Sequence, residues 1–427
     1  MRDTIVVGGG LAGLMAATLL ARAGRKVQLL ERSSRWGGRG ITEREGGFST
    51  NLGPHALYGG GAAIRRLTNL GLNFRAPRVT KDRSYFVEQE RLHAIPAGPM
   101  SLLSHPDLSW SEKWSVARAL ERVLLADPAA HAERTIAEWL DGAVRPSLRS
   151  WLAALFRVST YCEWPERQSA EAGLSQLQLV LRHGVHYVDG GWQTLVDGLA
   201  QAARDAGAQL LSSQGVRAVY ADHRVREVEL DDGTLLPAEA LILAVDPGTL
   251  HKLLRGPAQA IALGWAAQST PVKAATLDVR LRGLPRPALK TAFGLDRPSY
   301  FAVHSETAQL APAGGALIHV ARYLGPEHDQ AIEAATLEQE LDLLQPGWRE
   351  LLVDQRFLPK LVVSHRAVRA DQGGLSGRPK ADGLGIKGLW VAGDWVGPEG
   401  MLVDAALASA QGAVEQLLEV TSSALAA

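Results

Sequence analysis

Residues 4–7 (TIVV) form a short β-branched run, and the glycines that follow lead into small and apolar residues that continue to Gly24. That order predicts a buried strand, a tight turn and a buried helix. Lys26–Glu31 (KVQLLE) reads as a second buried strand. Strand, glycine turn, helix and strand in this order make the βαβ unit of a doubly wound parallel sheet. A helical pattern from Gly60 closes at Gly71, after which the chain changes character. Between 72 and 184 the periodic apolar positions predict mainly helices, for example Ser111–Leu125 and Thr135–Leu140, with Trp110, Trp114, Trp139, Trp151 and Trp164 among them. The first pattern then returns, with a turn at Gly190 and Gly191 and an amphipathic helix over Trp192–Asp205. Strands follow at Gln209–Leu211, Val216–Tyr220, Val225–Leu230 and Leu241–Val245, with a hairpin signal at Asp232-Gly233. Stretches 270–285 and 297–323 alternate in the manner of half-buried strands, and Leu389–Ala392 with Leu402–Leu418 repeats the strand-then-helix logic. The expected class is α/β: one doubly wound domain from 1–71, 185–265 and 351–427, and an inserted α+β domain from 72–184 and 266–350.

Composition changes this picture only by exclusion. With 46% hydrophobic and 21% charged residues among 427, the chain is an ordinary globular sequence, not a fibrous, disordered or multi-span membrane one. Its 45 basic residues balance 45 acidic ones, so no net field favours nucleic acid. One cysteine, Cys162, excludes an internal disulfide and a dithiol relay, and no His, Asp or Glu cluster has metal-ligand spacing. Redox chemistry here needs a bound organic cofactor. The uncharged stretch Thr4–Ala21 resembles a leader in length but holds four glycines and runs on into the second strand, so it is read as part of the fold and the protein as cytoplasmic.

The chemistry starts at Gly8-x-Gly10-x-x-Gly13, placed directly after a strand and opening a helix at Leu11 and Ala12. Gly8 permits the tight turn, Gly10 lets backbone approach a pyrophosphate, and Gly13 lets the helix pack closely on the strand. Glu31, at the end of the next strand, suits a ribose diol and argues against a 2′-phosphate. The fingerprint of this Rossmann-like domain leaves NAD and FAD equally open.

The residues beyond Glu31 decide between them. Arg32-Ser-Ser-Arg35-Trp36-Gly37-Gly38-Arg39, followed by GFSTNLGPH at 47–55, resembles the superfamily of flavin-dependent amine oxidases, phytoene desaturases and protoporphyrinogen oxidases. So do DGGWQTLVDGL at 189–199, the segment opening at Val216, and the block GLWVAGDWVGPEGMLVDAALASAQGAV. The resemblance implies an FAD-binding domain, and because Cys162 lies in the insert and not in the C-terminal block, the FAD is expected to be held non-covalently. It implies contacts from Arg32, Gly37, Gly38 and Arg39, from Gly53, Pro54 and His55, from the backbone of Val216 to adenine, and from Gly393 and Asp394. A helix starting near Met401, Leu402 and Val403 would aim free N–H groups at the flavin edge where negative charge accumulates on reduction.

For catalysis, the resemblance suggests Lys273 in TPVKAATLDV, in kind the lysine that amine oxidases carry near the flavin, and His55 as a pocket-lining acid or base. The tyrosine that amine oxidases place before the last flavin helix is replaced by Met401 or its neighbours. The reading that follows is an FAD-dependent oxidoreductase that removes hydride from a C–H bond of a small apolar substrate, as phytoene desaturases do. Oxidation of a C–N bond and a non-catalytic FAD-binding role stay open. No second glycine fingerprint offers an NAD site, so electrons are expected to pass to oxygen, a quinone or another external acceptor. A peripheral membrane contact is also left open.

Overall fold

The computed structural model describes residues 3–326 and 332–426. Strand Asp3–Val7 is the axis of a five-stranded, wholly parallel sheet in the order Leu389–Val391, Ala240–Leu243, Asp3–Val7, Lys26–Leu30, Gln209–Leu211. Helices Leu11–Arg22, Gln193–Asp205 and Leu402–Ala426 pack together over it. A second, four-stranded sheet of Leu235–Pro237, Val225–Leu230, Val216–Ala221 and Leu254–Arg255 shares the same apolar core. Burial on both sides is why the central strands read as continuous apolar runs and not as alternation.

The rest of the chain builds a seven-stranded sheet whose strands come from three separate stretches: Ser84–Glu88 and Arg91–Ala94, Val272–Leu281 through Ala316–Leu324, and Leu352–Ser364. This corrects the expected boundary at 351, because Leu352–Ser364 pairs antiparallel with Val272–Leu281 and not with the parallel sheet. It is an edge strand with most side chains partly exposed, so its apolar pattern is weak and its distant partner invisible in the local sequence. On one face of this sheet Ala275, Leu277, Val279 and Leu281 pack with Trp348 and helix Ala334–Leu344. The other face looks toward the glycine turn.

Helices Trp110–Leu125, Ile136–Ala143, Pro146–Thr160 and Ala170–His183 form the insert, packed around Trp139, Leu152, Phe156 and Leu174. Two of them start with a capping box: Ser109 with Glu112 and Thr135 with Glu138 satisfy each other's free backbone donors. Of the tryptophans in this insert, Trp139 is buried, whereas Trp110 and Trp114 stand exposed. No described helix is long and apolar enough to cross a membrane.

A very close backbone contact lies at the first turn. A Cβ on Gly13 would fall 1.8 Å from the Gly8 carbonyl oxygen, and one on Gly8, at φ +105°, would fall 2.4 Å from that of Ala244. Gly13→Ala must therefore push the helix off the strand, and it is expected to cost about 1–3 kcal/mol. Chemical denaturation reads this directly, and an unchanged midpoint would refute the contact.

The C-terminal helix is held differently. Asp404, in its first turn, accepts a hydrogen bond from the Ala63 N–H at 2.6 Å through Oδ1, while Oδ2 has no partner and the side chain is buried. Burial pushes its carboxyl up from 3.8 to about 6, against the pull of the Ala63 hydrogen bond. A raised folded-state value means that the protonated form is favoured in the fold, so this stabilisation is complete below about pH 4 and is lost as pH rises through about 6. Asp404→Asn keeps the acceptor without the charge. It is expected to raise stability near pH 8 by about 2 kcal/mol and to flatten the thermal stability profile between pH 4 and 6; an identical profile would contradict the assignment.

Candidate functional site

A continuous cleft of about 480 Å³ runs from the first glycine turn to the seven-stranded sheet. At its inner end, Gly10 caps helix Leu11–Arg22 with no side-chain hydrogen bond and no acidic residue in the first turn. The helix N-terminus is left with free donors and a partial positive charge pointing at the cleft. Gly8, Gly10, Leu11 and Ala12 line the space, and a Cβ on Gly10 would meet nothing within 4 Å. An open cradle at an uncapped helix end fits a pyrophosphate. Gly13 does not line the cleft, because it is spent on the contact with Gly8.

Glu31 closes this turn: its Oε2 accepts from the Gly9 N–H at 2.6 Å and its Oε1 from the Ser33 N–H at 2.7 Å. Beside it, Arg32 reaches the Val216 carbonyl at 3.4 Å and Asp231 at 3.8 Å, which brings the edge of the second sheet to the same wall. Gly37 and Gly38 follow with φ of +125° and +54°, conformations that let the loop fold back against the glycine turn, where the Gly37 N–H donates to the Gly9 carbonyl.

Arg39 extends from that loop to the third segment. Its Nη1 donates to Asp394 Oδ2 at 3.0 Å and to the Val363 carbonyl at 2.7 Å. Asp394 also accepts from His365, from the backbone N–H at 3.1 Å and at Nδ1 at 3.0 Å. Burial alone would raise this carboxyl, but the Arg39 guanidinium and the His365 contacts outweigh it and hold Asp394 well below the usual carboxylate range. Buried Arg378 donates to the carbonyls of Asp394 and Gly400, which fixes the loop between them. Trp192 lines the cleft from within the DGGWQTLVDGL motif, and His365 lines it although no motif singled it out; a lone histidine at a strand end leaves no periodic signal.

The C-terminal block enters the site one residue later than expected. Leu402 and Val403 line the cleft, whereas Met401 packs away from it with Ala172, Val368 and Leu375. The cause is a left-handed turn at Gly400 (φ +67°) and Leu402 (φ +54°), which rotates Met401 outward. Trp395, also on the wall, is fully buried and donates to the Val245 carbonyl at 3.0 Å, a packing role.

Gly53, Pro54 and His55 divide similarly. Pro54 and His55 face the cleft, while Gly53 is pressed against Leu361 and Thr276. His55 has both ring nitrogens against backbone carbonyls, Nδ1 at 3.1 Å from Gly53 and Nε2 at 3.0 Å from Arg39. Burial pushes the imidazole down to about 4 despite these contacts, so it is neutral and donates to only one of the two carbonyls while packed between both loops. Lys273 is the clearest correction. Ala274 and Thr276 of the same strand line the cleft, and Lys273 alternates with them, on the face that carries Ala275 and Leu277 into the opposite core. It cannot reach the cleft without a one-residue slip of the strand.

Comparison with known proteins bears on the family and the fold. Residues 11–418 match the family model described as flavin containing amine oxidoreductase. A phytoene dehydrogenase of Streptomyces griseus is 26% identical over 298 residues, 58% of this chain and 55% of its own, so the match spans about half of that relative's length. A shorter stretch of 59 residues, 13% of this chain and 11% of the relative, is 54% identical to an L-amino-acid oxidase of Naja atra. The crystal structure of an oxidoreductase from Methanosarcina mazei superposes with a TM-score of 0.74 over 97% of this chain and all of its own, at 18% identity, which speaks for the fold alone. The chain belongs to the flavin containing amine oxidoreductase family, with the Rossmann-like fold of its solved neighbours.

Proposed function

We propose that this protein removes a hydride from a C–H bond of a small apolar substrate, in the manner of a phytoene desaturase, and passes the electrons to oxygen or a quinone. The observation that carries the reading is the wall at the sheet end of the cleft. There Tyr161, Val363 and Leu402 face the space and belong to one apolar cluster with Val272, Tyr300 and Tyr323. Tyr161 and Tyr323 meet edge to face at 6.0 Å. With Lys273 turned to the other side of its strand, an amine-oxidase lysine has no counterpart at this wall. The match to a phytoene dehydrogenase supports the same choice.

In this reading Gly8, Gly10, Leu11 and Ala12 hold the pyrophosphate, Glu31 the ribose, Val216 the adenine, and Arg32, Gly37, Gly38 and Arg39 close over the dinucleotide. Asp394 and Gly393 meet the ribityl chain, and the free N–H groups at Leu402 and Val403 face the ring, where added negative charge is stabilised. FAD, when bound, supplies the hydride acceptor. Its attachment is non-covalent: burial pushes the Cys162 thiol up to about 12, so no thiolate is available to form a linkage. His55 keeps the Arg39 and Gly53 loops in register and takes no proton.

Two outcomes test this. Gly10→Ala adds a methyl group to open space, so its stability without cofactor should stay within about 0.5 kcal/mol of the parent while the purified protein loses its yellow colour; a fully yellow variant would remove the pyrophosphate assignment. Anaerobic mixing with apolar isoprenoid compounds should bleach the flavin and mixing with amines should not. Bleaching by amines alone would replace the dehydrogenation by C–N oxidation, and bleaching by neither while dithionite succeeds would favour a binding role.

A further inference from the structure

The longest helix of the insert is apolar on two faces. Helix Trp110–Leu125 buries Val116, Ala119 and Val123 in the insert core. At about 100° per residue, Trp110, Trp114, Ala117, Arg118, Glu121 and Leu125 fall together on the opposite side, and all six are exposed. Trp110 is 69% exposed, Trp114 67% and Leu125 77%. Helix Pro99–Leu103 widens this surface with exposed Met100 and Leu103. Lys113 ties the two helices together, because its Nζ lies 5.1 Å from the centre of the Trp110 ring and donates to the Leu103 carbonyl at 2.7 Å. Large apolar side chains gathered in one exposed place mark an interaction surface, whereas single ones do not.

The charges on the stripe select what covers it. Glu121 lies between Trp114 and Leu125 along the helix, so a lipid surface that took up those two side chains would press a carboxylate toward acyl chains and headgroups, where basic residues are the ones that fit. The 45 basic and 45 acidic residues of the chain add no net attraction to an anionic surface. A protein face that brings a positive charge to Glu121 and a negative one to Arg118 removes the conflict. The same helix is such a face, because Arg118 and Glu121 stand on consecutive turns, both exposed. A stripe that carries both signs one turn apart is complementary to its own reversed copy, which is the property that a two-fold interface requires.

One register satisfies both the charges and the apolar groups. With the two-fold axis between Ala119 and Leu120, an antiparallel copy sets Arg118 of each chain opposite Glu121 of the other, and Trp114 of each opposite Leu125 of the other. Trp110 then reaches one turn further, over the end of the other helix. Ala117, the small side chain on the stripe, lets the two axes approach. Four tryptophans, each about two-thirds exposed, have on the order of 100–170 Å² apiece left to bury. With Leu125, Met100 and Leu103 of both copies, the patch reaches the size of about 1,200 Å² at which specific interfaces begin.

We infer that helix Trp110–Leu125 is the contact between two copies of this chain, packed antiparallel about a two-fold axis, with reciprocal Arg118–Glu121 pairs at its centre and Trp114 against Leu125 on either side. None of these residues lines the cleft, so the pairing stands or falls apart from the reaction proposed there.

Sedimentation velocity of the flavin-loaded protein over about 1 to 100 µM reads the pairing directly. The expected result is a dimer whose dissociation constant rises at least about thirtyfold in Trp114→Glu, the level of an interface hot spot. Arg118→Glu or Glu121→Arg alone sets like charges opposite each other and should weaken the dimer about tenfold, whereas the two together restore opposite charges and should return it to within about threefold of the parent. These side chains are exposed, so the variants should stay folded and yellow; if Trp114→Glu does not, the charge exchange still decides. A monomer at every concentration, a dimer indifferent to Trp114→Glu, or a double exchange no tighter than the single ones would overturn the inference. So would a monomer that floats with phosphatidylglycerol vesicles and loses them on Trp114→Glu, an outcome that gives the face to a lipid surface.

Discussion

The contact between Gly13 and the Gly8 carbonyl is the constraint on which the rest depends. Only a residue without a Cβ lets the first helix start so close to its strand, and only that start aims an uncapped helix end into the cleft. The neighbouring pieces are placed against this turn: Glu31 takes the Gly9 N–H, the Gly37 N–H takes the Gly9 carbonyl, and Ala244 presses on Gly8 from the next strand. A dinucleotide site of this kind is mostly backbone geometry, which explains why glycines outnumber charged groups at its inner end.

Asp394 performs the matching task at the far end. It gathers Arg39 from the second segment and His365 from the end of the long sheet, so one buried carboxylate joins parts of the chain that are remote in sequence. Burying a charge is costly unless it is paired and hydrogen-bonded, and here three donors converge on it. Together the two anchors define a cleft with a polar, backbone-rich inner end and an aromatic outer wall. That division suits a cofactor with a charged tail and an apolar ring.

The parallel sheet and the motifs around it were legible because each depends on local pattern: continuous apolar strands, glycines at turns, and periodic apolar positions in the insert helices. What escaped depends on non-local pairing or on a single dihedral. Leu352–Ser364 reads as the start of the last domain until its partner Val272–Leu281 is known. Lys273 lies beside two cleft residues in sequence, yet period-two alternation sends it to the opposite face. Met401 leaves the cleft to Leu402 and Val403 where the backbone turns left-handed at Leu402, a conformation that a leucine does not announce.

The central claim is that these separated turns converge on one flavin dinucleotide, held by contacts alone. Denaturing the purified protein and identifying what it releases tests this most directly. The account predicts intact FAD in the supernatant, in about equimolar amount, with none left on the chain. Release of a nicotinamide dinucleotide, of no cofactor, or retention of flavin on the denatured polypeptide would contradict it.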